Sequence, residues 1–538
     1  LPDAYDMREQ GELPGVRNQG QWGTCWAHAA IASVETNMVK NGLANVGSVD
    51  YSERHLSYFS HKRNAALGDG TDNKDNQYLW YGGGNYQMAV AQLAGWYGAA
   101  AESDYPYYAY TTEGEMRDLA EGERSKAVSH LTNASVLSMP EESGQTEAQK
   151  ERMRLETMDR VKRAVMDNGA VMCSYYTGDG TLASALEEVY NADKHDIDHS
   201  VSIVGWDDNH DTTSAESNFS DKGRKPKANG AWLCRNSWGS AWGDGGYFWI
   251  SYEDATLGEF CSFEADAVSN YEEVHQYDGA GYNSTIGYEK AANIFHTEYV
   301  EELKAVSFYA FKDYDYLIEI YTGDIPAKDN PDVKLEKPSD GTLAYSQQGS
   351  LDTPGYHTIP LDTGVILWSG IDYAVSVQLI PKDGGSAVTY FEAGDAYTAE
   401  PGQSFFYSNG EWTDTTTMTD GQGQNLGFKN VCIKVFSDYI REWDKPMLKA
   451  EIDEAAKVTD SEKYTKASWD AFIEKRGFAE WIFAHLDTLE EETWTEAEKK
   501  NLILRQVMDL RAARMALAPA EIYIKNPAEF ENFAHMVS

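Results

Sequence analysis

The sequence predicts a multidomain chain: an α+β unit first, an all-β sandwich second and a three-helix bundle third. Three observations carry that prediction. A chain of 538 residues is longer than a single hydrophobic core usually organises. Near residue 270 the texture changes from long mixed segments to short alternating apolar runs separated by Gly, Pro, Asp and Asn. After Asp438 it changes again, to runs with helical spacing and Glu and Lys on their polar sides. The boundaries read from these shifts are 1–270, 271–437 and 438–518, with 519–538 as the start of a further, cut-off domain.

The first unit opens on Asn18-Gln19-Gly20-Gln21-Trp22-Gly23-Thr24-Cys25-Trp26-Ala27. Small or apolar residues then recur at Ala27, Ala30, Ile31, Val34 and Met38, the spacing of one helix face. Cys25 therefore stands at a helix N-terminus. Unpaired N–H groups and the positive end of the dipole collect there and favour the thiolate. A buried structural cysteine is the ordinary alternative for a lone thiol. Two later segments bear on the choice. Asp196-Ile197-Asp198-His199-Ser200-Val201-Ser202-Ile203-Val204 puts a histidine at the mouth of a β-branched strand. Trp232-Leu233-Cys234-Arg235-Asn236-Ser237-Trp238-Gly239 puts an asparagine at the end of another apolar run. Cys, His and Asn in that order suit a thiol nucleophile, a proton-transferring base and a group that orients the imidazole.

With these motifs and Gln19, roughly the first half of the chain resembles the papain-like cysteine peptidases. The resemblance implies roles residue by residue. Cys25 is the nucleophile, His199 the base and acid, and Asn236 the residue that fixes the imidazole tautomer. Gln19 is the side-chain donor of the oxyanion hole, with the Cys25 N–H as its second donor. Trp238 screens the Asn–His hydrogen bond from water, and a plain core tryptophan is compatible with that. Ser52-Glu53 followed by Leu56 resembles the family's second helix start. Gly83-Gly84 resembles the pair whose backbone meets an extended substrate.

The implied substrate-binding positions are Gly83, Gly84, Tyr86, Ile197, Asp198, Ser200, Trp238 and Asp266. In this family the P2 side chain dominates selection. Counting forward from Cys261, which resembles the family's late cysteine, puts Ala265 or Asp266 at the P2 pocket floor. An acid there would accept a basic P2 residue. A neutral floor leaves an apolar pocket, and apolar P2 is favoured because a floor carboxylate would need partial desolvation. The chain also departs from the family pattern. Trp22 stands where a second cysteine is usual, Thr24 replaces Ser, and His28 replaces an aromatic residue. His28 is read as a packed core histidine, since His199 fills the catalytic role. The long gap between Cys25 and His199 requires insertions, with 62–76 and 113–163 as candidates. A polar insert, 207–229, separates the histidine strand from the asparagine strand.

Composition narrows the partners. A net charge of −42 argues against nucleic acid and anionic membrane surfaces. Five cysteines, Cys25, Cys173, Cys234, Cys261 and Cys432, are few for a secreted chain, and no disulfide is expected. That combination points to export from a Gram-positive bacterium. There is no 18-residue apolar stretch and no signal peptide, so no transmembrane segment is expected. Residue 1 lies just before the catalytic unit, as in a mature or trimmed form. Asp207-Asp208-Asn209-His210-Asp211 has alternating oxygens, as calcium loops do, but lacks the glycine and the distal glutamate. It is read as a solvated acidic loop. No metal or organic cofactor is implied.

In the second unit the runs Ala305-Val306-Ser307-Phe308-Tyr309, Leu317-Ile318-Glu319-Ile320-Tyr321, Tyr373-Ala374-Val375-Ser376-Val377 and Val431-Cys432-Ile433-Lys434-Val435 are strand-like. Gly355-Tyr356-His357-Thr358-Ile359 and Gly402-Gln403-Ser404-Phe405 resemble a lectin-like β-domain that follows papain-like units in some bacterial and archaeal proteins. That describes shape, and a packing or spacer module is the alternative to a glycan or surface ligand. In the third unit 449–458, 464–483 and 495–517 read as amphipathic helices. Tyr464-Thr465 with Ser468-Trp469 and Phe472 resembles the FIVAR repeat of Gram-positive surface proteins, with Ser468 and Trp469 as capping and core residues. Asn526-Pro527 starts a short helix of the cut-off domain.

The expected activity is that of a secreted or cell-surface cysteine endopeptidase acting on protein or peptide substrates, with residues 1–270 able to act alone. A surface adhesin in which proteolysis is secondary stays open. The joint presence of Cys25, His199, Asn236 and Gln19 argues against a pseudoenzyme.

Overall fold

The computed structural model describes residues 1–68, 76–110, 116, 118–138, 145–178, 188–324, 333–489 and 494–518. The nucleophile helix, Cys25–Lys40, is buried on every side from Trp26 to Met38. Its Ala, Ser and Ile side chains are small enough to let it run through the core rather than across a surface. The histidine strand, His199–Asp207, is buried along both faces, which explains its continuous apolar run. Ser52 caps the helix Glu53–Ser60 by accepting from the His55 N–H, as its sequence implies.

Among the described residues, one twelve-stranded sheet runs through the peptidase motifs and into the second unit. Its order is Glu188–Val189, Tyr247–Ser251, Ala231–Arg235, His199–Asp207, Val171–Tyr175, Gly258–Ala267, Ser129–Val136, Gly355–Leu367, Glu301–Ala310, Ile433–Tyr439 and Glu273–His275, with Ala4–Asp6 paired to the histidine strand. The junction is the antiparallel pairing of Ser135 with Gly355, Ala134 with Tyr356 and Asn133 with His357. The Val136 N–H donates to Pro354 O at 2.7 Å across it. Gly355, at φ +152°, is required there, because a Cβ would lie 1.9 Å from Ala134 O.

The remaining β-strands of the second unit form a six-stranded sheet, Thr342–Leu351, Tyr314–Thr322, Asp372–Pro381, Lys290–His296, Ser404–Ser408 and Glu411–Asp414, and a three-stranded one. A single hydrophobic cluster contains Trp26, Ile31, Leu56 and Phe263 from the first unit and Leu303, Phe308, Tyr356 and Val375 from the second. The hydrophobic core therefore crosses the texture shift near residue 270.

Helices Lys445–Ala456, Lys466–His485 and Glu496–Met515 pack together around Leu448, Phe472, Ile482, Leu504 and Val507. Asp444, Thr465 and Thr495 cap them through their side chains. Val300 and Ile366 of the β-rich unit join that cluster. Arg511 bridges the helices to it by pairing with Glu451 and Glu302 and donating to Gly364 O. No helix among the described residues is long and apolar enough to cross a membrane. The reading of 519–538 lies outside the described residues.

This continuity bears on the expectation that residues 1–270 act alone. Ending the chain at 270 bares the edge of Ser129–Val136 and uncovers the shared core. Such a fragment is expected to self-associate in sedimentation velocity, while residues 1–518, which keep the shared cores covered, stay monodisperse. A monomeric 1–270 with a cooperative thermal transition would contradict this.

Candidate active site

Cys25 is the first residue of its helix, and Thr24 at the N-cap makes no side-chain cap bond. The Thr24 hydroxyl instead meets the Tyr107 hydroxyl at 2.5 Å, Thr24 O accepts from the Ala27 and His28 N–H groups, and the Trp26 N–H is the helix donor that faces the thiol. Cys25 is partly exposed. Burial alone would raise its pKa, but a hydrogen bond and the charge of His199, with N–H groups of Ser200 and Trp26, outweigh it and hold the thiol below its ordinary value. Burial would lower the imidazole. The bond to and charge of Cys25, the bond to Asn236 and the Asp198 charge reverse that, and His199 is raised.

The partner of Cys25 is fixed by the far side of its ring. His199 Nε2 lies 2.8 Å from Asn236 Oδ1, which leaves Nδ1 for the thiol. Trp238 stacks on the imidazole, with centroids 4.7 Å apart and planes 26° apart. Gln19 is buried. Its Nε2 donates one hydrogen to Trp22 O at 2.7 Å, and the second hydrogen is left for another acceptor.

Ser237, which the sequence reading passed over, holds both of these side chains. Its hydroxyl donates to Gln19 Oε1 at 2.7 Å and its N–H to Asn236 Oδ1 at 2.8 Å. Its place between Asn236 and Trp238 was the available signal. Tyr107 was also missed. Its hydroxyl donates to Gln19 O at 2.9 Å.

Beneath the site lies a buried polar cluster that only the fold assembles. Arg17 pairs with Glu35 at 3.4 Å and with Asp50 at 2.8 Å. Burial pushes Glu35 and Glu53 up to about 7. His28 is a core histidine as read: its Nδ1 is 2.9 Å from Thr24 O, its ring packs edge-on against Tyr107, and burial pushes it down to about 3. Trp22 packs against Trp80 and Tyr81 and donates its indole N–H to Tyr108 O at 2.8 Å. An aromatic cluster thus tethers the loop at the position where the family has a second cysteine.

The implied substrate positions meet mixed outcomes. Gly84 packs on Trp26, where a Cβ would come within 2.3 Å of the indole. Gly83 O faces His61 Nε2 at 3.0 Å. Ile197 is exposed, beside the imidazole strand. The Asp198 carboxylate accepts from the Thr177 N–H and hydroxyl at 2.8 and 3.0 Å. Ser200 directs its hydroxyl to Ser174 at 2.9 Å.

Asp266 is a correction. It lies opposite His130, at the far end of the strand Gly258–Ala267, and accepts from the Ala267 N–H. Ala265, opposite Leu131, lies equally far along. Counting forward from Cys261 moved away from the site, because Gly258, not Asp266, pairs with Ser174 beside the histidine strand.

The carboxylate at the near end is Glu259. Glu259 and Phe260 together oppose one residue, Cys173, in a β-bulge. Glu259 has φ +52°, an uncommon conformation for a residue with a side chain. Its charge acts on both Tyr86 and Cys261.

All five cysteines are free thiols. Cys173 and Cys234 lie on strands flanking the histidine strand, so their Cα atoms stand about two strand spacings, ~9.6 Å, apart, beyond disulfide reach. In the loop 207–229, Asp207 and Asp211 accept local N–H groups, while Asp208 pairs with Lys162 and Tyr252.

Residues 1–271 match the family model described as papain family cysteine protease, and residues 274–437 match the lectin like domain. Cysteine endopeptidase Rep1 of Oryza sativa subsp. japonica is 24% identical over 269 residues, which is 50% of this chain and 58% of that protein. The chain thus spans little more than half the length of that curated relative. Two solved structures align more broadly. The clostridial cysteine protease Cwp84 after propeptide cleavage has a TM-score of 0.63 at 24% identity, covering 81% of this chain and 99% of that one. The cysteine protease and lectin-like domains of Cwp84, a surface layer associated protein of Clostridium difficile, give 0.62 at 23%, covering 82% and 89%. At these identities the likeness is one of fold.

Ser237→Ala removes the hydroxyl that orients Gln19. A lost bond of about 1.4 kcal/mol corresponds to roughly tenfold. The expected outcome is a tenfold fall in kcat with little change in KM on a short fluorogenic peptide, and an unchanged kcat would contradict it.

Proposed function

Because the chain belongs to the papain family of cysteine proteases, we propose that it is an endopeptidase that cleaves protein substrates through an acyl-enzyme on Cys25. The observation that supports this best is the chain of contacts from Cys25 through His199 to Asn236 at a helix N-terminus. The Cys25 thiolate attacks the peptide carbonyl carbon, and the C=O electron pair moves onto oxygen. Gln19 Nε2–H and the Cys25 N–H hold that oxyanion. His199 delivers its Nδ1 proton to the leaving amine as the C–N bond breaks. The neutral imidazole then takes a proton from water, the hydroxide displaces sulfur, and the thiolate and imidazolium are restored. Asn236 keeps Nε2 protonated throughout, and Trp238 shields that bond from water.

Tyr86, Ile197 and the backbone of Gly84 are read as the walls of an apolar P2 pocket, with Glu259 at its edge. The domain reading is 1–270 as peptidase, 271–437 as a lectin-like β-sandwich with no sugar assigned, and 438–518 as a FIVAR-type three-helix bundle. Tyr464 stacked on Trp469, and Ser468 bonded to Thr465, support the last. Secretion or cell-surface placement in a Gram-positive bacterium fits the net charge of −42 and the cysteine-poor composition. The surface-layer association of Cwp84 points the same way.

An epoxysuccinyl inhibitor is expected to label Cys25 alone among the five thiols, because the other four are buried. Cys25→Ala is expected to lower kcat by about 10⁴-fold or more. Hydrolysis by Cys25→Ala at the wild-type rate would refute the assignment.

The pH profile follows from the two shifts. A lowered thiol forms thiolate below its usual value of about 8.5, and a raised imidazole stays protonated above about 6.5. Plots of kcat/KM against pH should be bell-shaped. The acid limb reports loss of thiolate, and the alkaline limb reports loss of the imidazolium that protonates the amine. Asn236→Ala should move the alkaline limb down, and an unmoved limb would contradict the tautomer role.

P2 selection tests Glu259. With dipeptide substrates differing only in P2 Leu or Arg, the wild type is expected to prefer Leu. Glu259→Gln should raise the Leu-to-Arg ratio several-fold, whereas Asp266→Ala leaves it unchanged. Equal ratios in wild type and Glu259→Gln would remove Glu259 from the pocket.

A further inference from the structure

A cavity of about 180 Å³ lies where the peptidase half meets the β-rich half. One wall comes from the helix that follows the glycine pair, Tyr86–Ala94, through Tyr86 and Met88. The other comes from the β-rich unit, through Tyr282, Tyr309, Phe311 and Tyr356. None of its lining residues is charged, in a chain with a net charge of −42.

The two walls are tied to each other. Gln87 Nε2 donates to the Tyr282 hydroxyl at 3.3 Å. Tyr282 packs against Tyr309 and Phe311, with centroids 5.0 and 5.1 Å away. Gly281, at φ +74°, permits the close approach, since a Cβ there would come within 3.0 Å of both Ala91 Cβ and the Tyr309 hydroxyl. The volume is on the order of the ~150 Å³ apolar cavity that accepts benzene.

We propose that this cavity is a substrate subsite: the β-rich unit supplies half of a pocket for a large apolar or aromatic P4 side chain. The inference rests on the endopeptidase reading above. Its position in the sheet carries it. The floor strand Ser129–Val136 is the third strand from the histidine strand, about 14 Å away at ~4.8 Å per spacing. An extended peptide rising ~3.4 Å per residue covers that span in about four residues. Tyr86, read above as a wall of the P2 pocket, also lines this cavity, so on that reading the peptide path runs from one to the other. A saccharide is the less favoured occupant, because half of the pocket belongs to the peptidase and no carboxylate lines it.

The test uses the full chain and fluorogenic peptides that share one P2–P1 pair. One ends at P2, and the longer ones carry Phe or Gly at P3, P4 or P5. The wild type should cleave the P4 Phe peptide at least tenfold faster in kcat/KM than the P4 Gly peptide, with little discrimination at P3 and P5. Tyr282→Ala and Phe311→Ala should bring the P4 ratio close to one, and Tyr282→Phe should retain it. A flat P4 profile in the wild type overturns the inference, as does a preference that survives both alanine variants. Binding on a glycan array that is lost in Tyr282→Ala, with a flat P4 profile, would make the cavity a saccharide site and equally overturn it. If no peptide of the series is cleaved, the endopeptidase reading itself falls. If the longer peptides are cleaved and P4 is flat, only this inference does.

Discussion

A thiol inside a protein resists ionisation, and the architecture around Cys25 opposes that resistance. Burial is the largest influence on both Cys25 and His199, and on each it acts against the charged form. What reverses it is mutual: each charge stabilises the other, and the helix N-terminus and Asn236 add to the same side. The pair survives only if its geometry is held without slack. That is why the surroundings are so heavily bonded. Ser237 spans Gln19 and Asn236, Tyr107 ties Thr24 to Gln19 O, and an aromatic cluster around Trp22 anchors the loop between them.

The chemistry was legible in the sequence because it is carried by short contiguous motifs. Residues 18–27, 196–206 and 232–239 each contain a candidate site residue together with the local pattern that places it on or beside a helix or strand. The second helix start at Ser52-Glu53 was legible for the same reason, since a cap is a local event. Features decided by pairing between distant segments were not. The reading of Asp266 assumed that residues after Cys261 continue toward the pocket, whereas the strand register carries them away from it. The bulge at Glu259 leaves no signature in composition, because a glutamate with positive φ looks like any other glutamate in a sequence.

The domain boundary illustrates the same limit from another side. Composition changes near residue 270 because the first unit mixes helices with strands, whereas the second is built from strands of up to 13 residues. Backbone pairing is indifferent to that change, and Ser129–Val136 bonds to Gly258–Ala267 on one edge and, over a shorter stretch, to Gly355–Leu367 on the other. A unit defined by texture and a unit defined by cooperativity therefore differ here. The same junction brings Tyr86 and Tyr282 to one cavity.

That junction also has a history in time. Its contacts join positions as far as 225 residues apart, such as Asn133 and Thr358. Loop closure over such a distance is slow, so a seam of this kind is expected to close late in folding. Until then the peptidase half carries a bare strand edge, the kind of surface on which chains stick to one another. The strand reads Ser-His-Leu-Thr-Asn-Ala-Ser-Val, with polar side chains interrupting its apolar ones. Those residues look unremarkable in the finished molecule. During assembly they keep an exposed edge from recruiting the wrong neighbour while the right one is still on its way.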